Sequence, residues 1–410
     1  MERGGYKWRL LAFLFVAFFI ELGSRQLYNA ALPQIGAEFA RSGATDAQLG
    51  AVGSVFGSVF GMALVVSGVA ADLFGRKRVL VAGTLIFSAG ILGSGFARGV
   101  GWMMAFYGVL NAFGQCCVAP ASYGLISKYH VETRSVAMAI FQSAVYAGIV
   151  ISSVFGGWLA EMGEGVWRWA FWSMGAAGVV WAAVMQVGMR PEPAGGRDGD
   201  KATVKEALLA LVRKPTAVLI AVAFGFFMYT ALGIRLWTPM FLTRCFDGVG
   251  TAKAAFHGVI WLNLASLASC LLTAKAIDRF GKGRPRIRLD VSLLGLLLCI
   301  APVVWVANAS SFPSCCAALA VLGLTIGVYE AAHYPAMFDC IEPRYRSAAT
   351  GLTGCMAFLM GSLAPAVLGW MNGHMSMRAG FASLSAFYLT GALTLLPAIA
   401  KYFRKDCIPQ

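Results

Sequence analysis

Two oppositely charged residues lie one helical turn apart in the first apolar segment of the chain. Glu21 and Arg25 are four positions apart, so on a helix they share one face, which Asn29 extends by another turn with Tyr28 beside it. A charge at the centre of a membrane helix costs about 2.5–3.5 kcal/mol, so such residues are expected to face a cavity or a partner. Because a guanidinium donates two parallel hydrogen bonds, Arg25 suits a carboxylate or phosphate ligand. The plain alternative is a pair that only neutralises itself.

Two further ionisable residues lie inside a later apolar segment and suit proton transfer. Glu330 and His333 are followed by Tyr334 at the spacing i, i+3, i+4, so the three form one helical stripe. Histidine titrates near pH 6.5, which suits a proton relay, but a structural hydrogen-bond cluster between helices explains the stripe equally well. Glu21 is the stronger candidate for proton coupling, because a substrate that binds Arg25 would remove the charge that keeps this carboxylate ionised.

A second arginine, Arg235, lies two positions before Trp237 in another apolar segment. It either extends to the outer membrane interface, as long basic side chains do, or contributes a second contact to an anion. Polar residues within other segments would complete a cavity that binds hydroxyl groups, although hydrogen bonds between helices use the same residue types. These residues are Asn111, Gln115, Ser122, Gln142, Tyr146, Tyr229 and Asn263.

The composition requires a lipid-facing surface for these segments. Of the 410 residues, 59% are hydrophobic and 13% are charged, about half the charged fraction of a soluble protein. Lipid tails tolerate exposed apolar side chains that water does not. The ten cysteines lack metal-ligand spacing, which indicates buried thiols and no metal or other cofactor. The net charge of +14 is spread over the polar connections, which argues against a nucleic-acid partner.

Twelve apolar runs approach the roughly 20 residues that a membrane helix needs. The sequence therefore predicts an all-α integral membrane protein with twelve transmembrane helices. The predicted spans are residues 8–33, 47–71, 79–97, 101–127, 136–160, 168–189, 216–243, 253–277, 289–307, 313–338, 347–370 and 379–400.

The distribution of Lys and Arg predicts the orientation of these spans. If both termini are cytoplasmic, 24 of the 33 basic residues lie on the inside, six on the outside and three within spans. This asymmetry is the one that the positive-inside rule describes. We therefore expect a multi-pass protein of the plasma (inner) membrane with both termini in the cytoplasm.

The two halves of the chain repeat each other weakly. Asp72-Leu-Phe-Gly-Arg-Lys-Arg is matched by Asp278-Arg-Phe-Gly-Lys-Gly-Arg, and Arg134-Ser-Val-Ala-Met-Ala by Arg346-Ser-Ala-Ala-Thr-Gly. Residues 191–215 are rich in Pro, Gly and charge, as linkers are. We predict a six-helix bundle over 1–190, a cytoplasmic linker over 191–215 and a second six-helix bundle over 216–410. Internal duplication is typical of transporter folds.

The loop after the second span resembles a family signature. Gly68-Val-Ala-Ala-Asp72-Leu-Phe-Gly75-Arg76-Lys77-Arg78 looks like the loop between the second and third helices of the major facilitator superfamily, with Leu73 where a basic residue is common. The resemblance implies two pseudo-symmetric six-helix bundles that transport a solute by alternating access.

The same resemblance implies a gate on the cytoplasmic side. Asp72, Gly75, Arg76 and Arg78 would lock that side while the outside is open, and Asp72 would pair with Arg134 or with a helix N-terminus. Asp339 would join this network from a later segment, together with Arg344 and Arg346. If the loop charges only set the orientation in the membrane, Lys77 is explained. The presence of the acidic Asp72 among basic residues is not.

Within the superfamily, the chain looks most like the anion:cation symporter family. The supporting segments are Gly23-Ser24-Arg25-Gln-Leu-Tyr28-Asn29-Ala-Ala-Leu-Pro33, Trp167-Arg-Trp-Ala-Phe-Trp172 and Trp237-Thr-Pro239-Met-Phe-Leu242. Ser24 and Gln115 stand where that family often has acidic residues. The resemblance implies a monomeric carrier of a small organic anion, a carboxylate or sugar acid, coupled to a proton or sodium.

Other functions are weaker alternatives. No Gly-x-x-x-x-Gly-Lys-Ser/Thr loop for ATP occurs, and the four histidines form no paired motif that an enzyme would use. Organophosphate antiporters use arginines in their first and seventh helices, but Ala231 stands where the second is expected. Drug or metabolite exporters favour broad apolar cavities with a lone acid, whereas Arg25 and Arg235 favour a defined anion.

Overall fold

The computed structural model describes residues 2–130, 133–190, 204–281, 284, 286–342 and 345–407. Within these residues, twelve helices are long and apolar enough to cross a membrane. The predicted all-α membrane architecture is therefore confirmed. Side chains 2–4, 68, 69, 72, 134, 135, 204, 205, 207 and 347 lie outside the description although their backbone is included.

The helices extend beyond the predicted apolar runs at several ends. α1, for example, continues through Pro33 to Ala40. A proline removes only one hydrogen bond of the helix, and the residues after it remain helical. The twelve membrane helices are α1 Glu2–Ala40, α2 Asp46–Phe74, α3 Arg76–Gly95, α4 Val100–Tyr129, α5 Arg134–Glu161, α6 Trp167–Gly188, α7 Pro215–Cys245, α8 Thr251–Phe280, α9 Arg286–Asn308, α10 Phe312–Phe338, α11 Ala348–His374 and α12 Met377–Asp406. A short helix, Val204–Val212, precedes α7.

α4 is not a regular α-helix. Its central part, Met104–Asn111, is a π-helix, and Cys116 and Cys117 interrupt the helical pattern before the final part, Val118–Tyr129. The wider turn adds a residue and rotates the following side chains relative to a straight α-helix, a feature often found at functional sites. Asn111 is the last residue of this irregular turn, and Gln115 lies four positions further on.

The structure divides into two compact units. The first unit comprises Met1–Arg197 and Leu236–Val259, so it includes the end of α7 and the start of α8. α1 lies at its centre and packs on α5 and α6, while α3 packs on α6 and α4. Leu10, Leu14, Phe87 and Phe141 are among the residues of the buried apolar core that these helices share.

The second unit comprises Asp198–Arg235 and Ile260–Gln410. α9 lies at its centre and packs on α10 and α12. Gly295 on α9 permits the close approach to α10, because a Cβ at this position would lie 2.7 Å from the backbone nitrogen of Tyr329.

The duplication extends to details of helix geometry. Pro33 lies inside α1 and Pro239 lies inside α7, 206 positions later, the same offset as between Asp72 and Asp278. Thr45 caps the start of α2, and Thr251, again 206 positions later, begins α8. These matches support the pseudo-symmetric arrangement of two related halves.

Candidate functional site

Arg25 and Glu21 form the predicted ion pair inside the first unit. Arg25 Nη2 lies 3.1 Å from Glu21 Oε1, and Arg25 Nε donates to Gln115 Oε1 at 2.9 Å. The guanidinium also lies over the rings of Phe60 and Phe56, 4.4 and 5.3 Å from their centroids. An amide, a carboxylate and two aromatic faces thus fix the plane of the guanidinium.

Gln115 connects this pair to three other parts of α1 and α4. Its amide nitrogen lies 3.1 Å from both the Glu21 carbonyl and Ser24 Oγ, and 2.9 Å from Asn111 Oδ1. Gln115 is fully buried, so its orientation is set by these partners rather than by solvent. The side chains of Glu21, Arg25, Asn111 and Gln115, which the sequence predicted, are therefore brought together in one network.

Buried polar atoms of this network remain without a hydrogen bond among the described residues. They include Glu21 Oε2, Asn111 Nδ2 and, on the final part of α4, Ser122 Oγ. Buried polar groups are normally paired, and exceptions indicate water, an ion or a functional role. Within the described residues no three His, Cys, Asp or Glu side chains come together as a metal site requires.

Tyr28 lies three positions after Arg25 on α1 and packs against Tyr107. Its side chain is fully buried, and its hydroxyl donates to the Leu49 carbonyl at 2.8 Å. Tyr107 lies against it, with ring centroids 4.9 Å apart, and donates to the Arg25 carbonyl at 2.7 Å. The Tyr28 hydroxyl thus has a partner in the protein, and its predicted contact with a substrate stays a prediction.

Other predicted residues of the first unit lie on α1 and α5. Asn29 donates to Gln26 at 3.2 Å, one turn beyond Arg25 on α1. Gln142 is exposed on α5 and accepts a hydrogen bond from Tyr123 at 3.1 Å, while Tyr146 is partly buried one turn further.

In the second unit, Glu330 and His333 have separate surroundings. Glu330 accepts a hydrogen bond from Ser266 Oγ at 2.7 Å. His333 is buried between aromatic rings, with its ring centroid 4.5 Å from that of Phe224 and 4.1 Å from that of Tyr334. Its Nε2 has no hydrogen-bond partner among the described residues. The predicted stripe exists, and the side chains of Glu330 and His333 have different hydrogen-bond and ring partners.

The other predicted residues of the second unit are more dispersed. Tyr229 is buried and stacks on Phe387 with centroids 3.9 Å apart, and Asn263 is partly buried on α8. Arg235 is exposed at the end of this unit. Exposure alone agrees with either predicted role of Arg235, contact with an anion or extension to an interface.

The signature loop is held by backbone contacts. Gly75 connects α2 to α3 with φ +88°, a conformation that glycine adopts at little cost. Arg76 donates to the Gly124 carbonyl at 3.0 Å, and Arg78 is exposed. The side chains of Asp72 and Arg134, and all of Arg344, lie outside the described residues, so their predicted gate contacts stay predictions.

Lys77 differs from its predicted role as simple topology-setting charge. The side chain is buried, and its ammonium donates to the carbonyls of Gln186 and Met189 at 2.7 and 2.6 Å. These carbonyls terminate α6, where they have no partner within the helix. Lys77 thus caps one helix from the start of another.

Asp339 pairs with Arg288, a residue that the predicted gate network did not include. Its buried carboxylate forms an ion pair with Arg288 of α9, while Arg346 donates to the carbonyls of Phe338 and Ile341. Burial raises the pKa of Asp339 above its usual range, and Arg288 opposes that shift. Arg288, Phe60 and Tyr107 were missed because their partners are distant in sequence, and no motif marks them.

The fold and the buried charge network inside its helices define a polytopic membrane transporter. The model of the major facilitator superfamily matches residues 14–309, and the chain belongs to this family. It is therefore an integral multi-pass membrane protein and a secondary transporter rather than an enzyme, and it matches the fold predicted from its signature loop.

Individual relatives are distant but cover nearly the whole chain. The cis,cis-muconate transport protein of Acinetobacter baylyi is 23% identical over 414 residues, covering 96% of this chain and 95% of that protein. The probable sulfoacetate transporter SauU of Cupriavidus necator is 26% identical, covering 96% and 93%. A crystal structure of a bacterial homologue of the human lysosomal transporter Spinster, inward-facing and unoccupied, has TM-score 0.85 at 19% identity and covers 99% of both chains.

Proposed function

We propose that this protein carries a small organic anion, a carboxylate or sugar acid, with Arg25 as the group that binds its charge. The observation that carries the proposal is the unequal exposure of the ion pair. The side chain of Arg25 remains 24% exposed, whereas that of Glu21 is 2% exposed. An anion therefore has access to the cation of the pair while the carboxylate stays buried.

The held orientation of Arg25 supports a carboxylate ligand. Gln115 and Glu21 bind two of its nitrogens, and Phe60 covers a face of the guanidinium. A group whose rotamer is already fixed loses less entropy on binding. Two distant relatives are named for the transport of muconate and sulfoacetate, both organic anions, which favours this class over cationic drugs.

Glu21 supplies a route to proton coupling in this proposal. An incoming carboxylate at Arg25 withdraws the positive charge from Glu21, and a buried carboxylate without a counter-charge takes up a proton. Substrate and proton then cross together. Glu330 with Ser266, and His333 in its aromatic surroundings, are secondary candidates for the same task, and sodium is the alternative coupling ion.

The proposed orientation places both termini in the cytoplasm of the plasma (inner) membrane, with bundles 1–190 and 216–410 joined by the linker 191–215. In that orientation the loop with Gly75, Arg76 and Arg78 and the Asp339–Arg288 pair belong to the cytoplasmic gate. A cysteine introduced at the loop tip Gly43 should react with impermeant maleimide added to intact cells, whereas a cysteine at Arg78 should react only in inside-out membrane vesicles.

The experiment that tests the proposed function combines ligand binding with transport. The melting temperature of the purified protein is measured with muconate, sulfoacetate, a sugar acid, a sugar phosphate and a cationic dye, because ligands that bind the native state raise it. The best ligand is then used for uptake into proteoliposomes. Arg25→Ala should raise its Kd about 10- to 100-fold, as expected for loss of a charged hydrogen bond of about 1.5–3 kcal/mol.

Arg98→Gln is the matched control, since it also removes one positive charge but from an exposed residue between α3 and α4. It should bind and transport like the unaltered protein. A shift with the sugar phosphate alone would instead favour an organophosphate antiporter, and a shift with the dye alone an exporter. Equal affinity of the Arg25→Ala protein and the unaltered protein for the best anion would refute the role of Arg25.

A further inference from the structure

Two adjacent cysteines lie at the irregular point of α4. Cys116 and Cys117 separate the part that carries Asn111 and Gln115 from the part that begins at Val118, and their Sγ atoms are 3.9 Å apart. Cys116 is buried and Cys117 is partly exposed. The two thiols therefore present neighbouring sulfur atoms, with access through Cys117.

The pair is directly connected to the charge network. Gln115 is the residue before Cys116. Its side chain binds both the guanidinium of Arg25 and the backbone carbonyl of Glu21. Close packing leaves no room behind the pair, because a Cβ on Gly83 of α3 would lie 2.5 Å from Cys117 Cβ.

We propose that Cys116 and Cys117 form a binding site for thiol-bridging electrophiles, with trivalent organoarsenicals as the ligand class. A trivalent arsenic oxide, R–As=O, condenses with both thiols. Two S–H bonds break, two As–S bonds form, the oxygen leaves with both protons as water, and arsenic stays trivalent, so no oxidant is needed. Thiolate is the reacting form of each sulfur in turn.

Binding of one arsenic atom to both thiols should stop transport. The two sulfur atoms must turn towards one arsenic atom, and the Gly83 contact prevents α4 from retreating. The adjustment therefore falls on the backbone at Gln115, whose amide holds Arg25, Ser24 and Asn111. A shift of this side chain alters the position of the guanidinium that the proposed function assigns to the anion.

The binding test uses the purified full-length protein and phenylarsine oxide. Intact-protein and peptide mass spectrometry should find one phenylarsenic bridge on the peptide with Cys116 and Cys117. The bridge should survive excess monothiol and be removed by a small dithiol. Cys116→Ser and Cys117→Ser should each lose the monothiol-resistant adduct, because a single As–S bond exchanges readily.

A second adjacent pair in the same chain provides the control. Cys315 and Cys316 lie in the regular helix α10 and are both buried, so the Cys315→Ser/Cys316→Ser protein should retain the full adduct. An adduct that follows the 315–316 pair, or no resistant adduct at all, would overturn the proposed binding site. This result does not depend on any transport measurement.

The effect on transport rests on the proposed function, so uptake is measured and interpreted separately from arsenic binding. Phenylarsine oxide should inhibit uptake of the best anion at least tenfold in the unaltered and Cys315→Ser/Cys316→Ser proteins, and added dithiol should restore it. Cys117→Ser should remain active and resist inhibition. A bridge at 116–117 with unchanged uptake would refute the effect on Gln115, whereas absence of uptake before treatment would instead contradict the proposed function.

Discussion

Glu21 is the residue whose environment is most unusual for its type. It is nearly fully buried in α1, one oxygen faces Arg25, and the other has no hydrogen-bond partner among the described residues. An isolated buried carboxylate is costly, and it is tolerated only with a partner or with a proton. Arg25 is that partner in the resting protein, so any ligand that competes for Arg25 acts on the protonation of Glu21.

Replacing Glu21 with Gln should therefore separate exchange from accumulation. Gln keeps the shape and a carbonyl acceptor for Arg25 but is permanently neutral, as the protonated Glu would be. We expect the Glu21→Gln protein to exchange labelled for unlabelled anion at a rate near that of the unaltered protein. It should lose accumulation driven by an imposed pH gradient in proteoliposomes.

The matched variant for this measurement is Glu330→Gln, which removes a carboxylate that accepts a hydrogen bond from Ser266. If Glu330→Gln alone abolishes pH-driven accumulation, coupling lies in the second unit. Persistent accumulation in Glu21→Gln would show that Glu21 does not carry the coupling proton. Accumulation that instead follows a sodium gradient would identify the other coupling ion.

The Asp339–Arg288 pair gives a prediction about pH. Burial raises the pKa of Asp339 and Arg288 opposes the rise, so Arg288→Met should raise this pKa further. A carboxyl whose pKa is higher in the folded than in the unfolded protein favours folding below the unfolded pKa. This contribution is lost as the pH rises through the folded pKa.

Arg288→Met should therefore destabilise the protein by about 3 kcal/mol near neutral pH, the lower end for a broken buried pair because Arg288 is 28% exposed. The loss should shrink as the pH falls towards the usual carboxyl range. Arg288→Met/Asp339→Asn should recover much of the stability at all pH values. Melting temperatures in detergent between about pH 5 and 8 measure this, and a loss independent of pH would contradict it.

The sequence predicted which residues form the charge network, but it did not predict most of the contacts between them. The spacing of Glu21 and Arg25 determines that they meet on any helix, so that pair could be predicted. The hydrogen bond from Arg25 to Gln115 crosses 90 positions between helices. Such contacts depend on the π-helical turn of α4, for which no sequence signal was available.

At the scale of elements, Lys77 joins two helices that the sequence treats separately. It lies in the first turn of α3 and donates to carbonyls at the end of α6. These carbonyls have no hydrogen-bond partner within their own helix. A positive charge there also interacts favourably with the negative end of the helix dipole. This contact explains why a lysine of the signature loop is buried rather than exposed.

Lys77→Met should keep the aliphatic stem but lose both charged hydrogen bonds. We expect the free energy of unfolding to fall by about 2 kcal/mol, within the range for hydrogen bonds to a charged group. Arg78→Gln is the control for stability, because its side chain is exposed on the same helical turn. Equal melting temperatures for the Lys77→Met and Arg78→Gln proteins would exclude the capping role.

The twelve spans could be predicted because each is a long apolar run, and the lipid requirement for satisfied backbone groups leaves helices as the solution. The ends were harder to place. α1 continues past Pro33 to Ala40, and α2 continues to the signature loop, where polar residues conceal the helix from a hydropathy reading. Helix ends depend on capping contacts such as that of Thr45 with Gln48, which composition does not report.

At the scale of the whole molecule, the duplication is geometric rather than chemical. At the offset of 206 positions, Pro33 matches Pro239, but Glu21 matches Phe227 and Arg25 matches Ala231. The second half therefore keeps the helix shape without the charge pair. In the proposed carrier, the Glu21–Arg25 pair thus belongs to the first unit, and Arg235 is the predicted second contact to the anion from the second unit.

One part of the second half packs within the first unit. The segment Leu236–Val259 belongs to that unit, where Arg244 forms a two-bond ion pair with Asp46 and Thr251 exchanges hydrogen bonds of 2.6 and 2.8 Å with Gln34. Ser153 also donates to the Ala255 carbonyl at 3.0 Å. Gln34 lies directly after Pro33 on α1, and transport by alternating access would require contacts of this kind to form and break in each cycle.

Reversing one charge of the Asp46–Arg244 pair should therefore slow transport, and reversing both should restore it. Asp46→Arg and Arg244→Asp each place like charges together, which opposes closure by about 1 kcal/mol, or roughly fivefold in uptake. The double variant re-forms the pair with opposite polarity. The Arg41–Glu164 pair is the control, because it is exposed and joins residues that both precede the linker. Uptake that is unchanged in the single variants, or reduced equally by reversal at Arg41, would show that the Asp46–Arg244 contact has no part in the cycle.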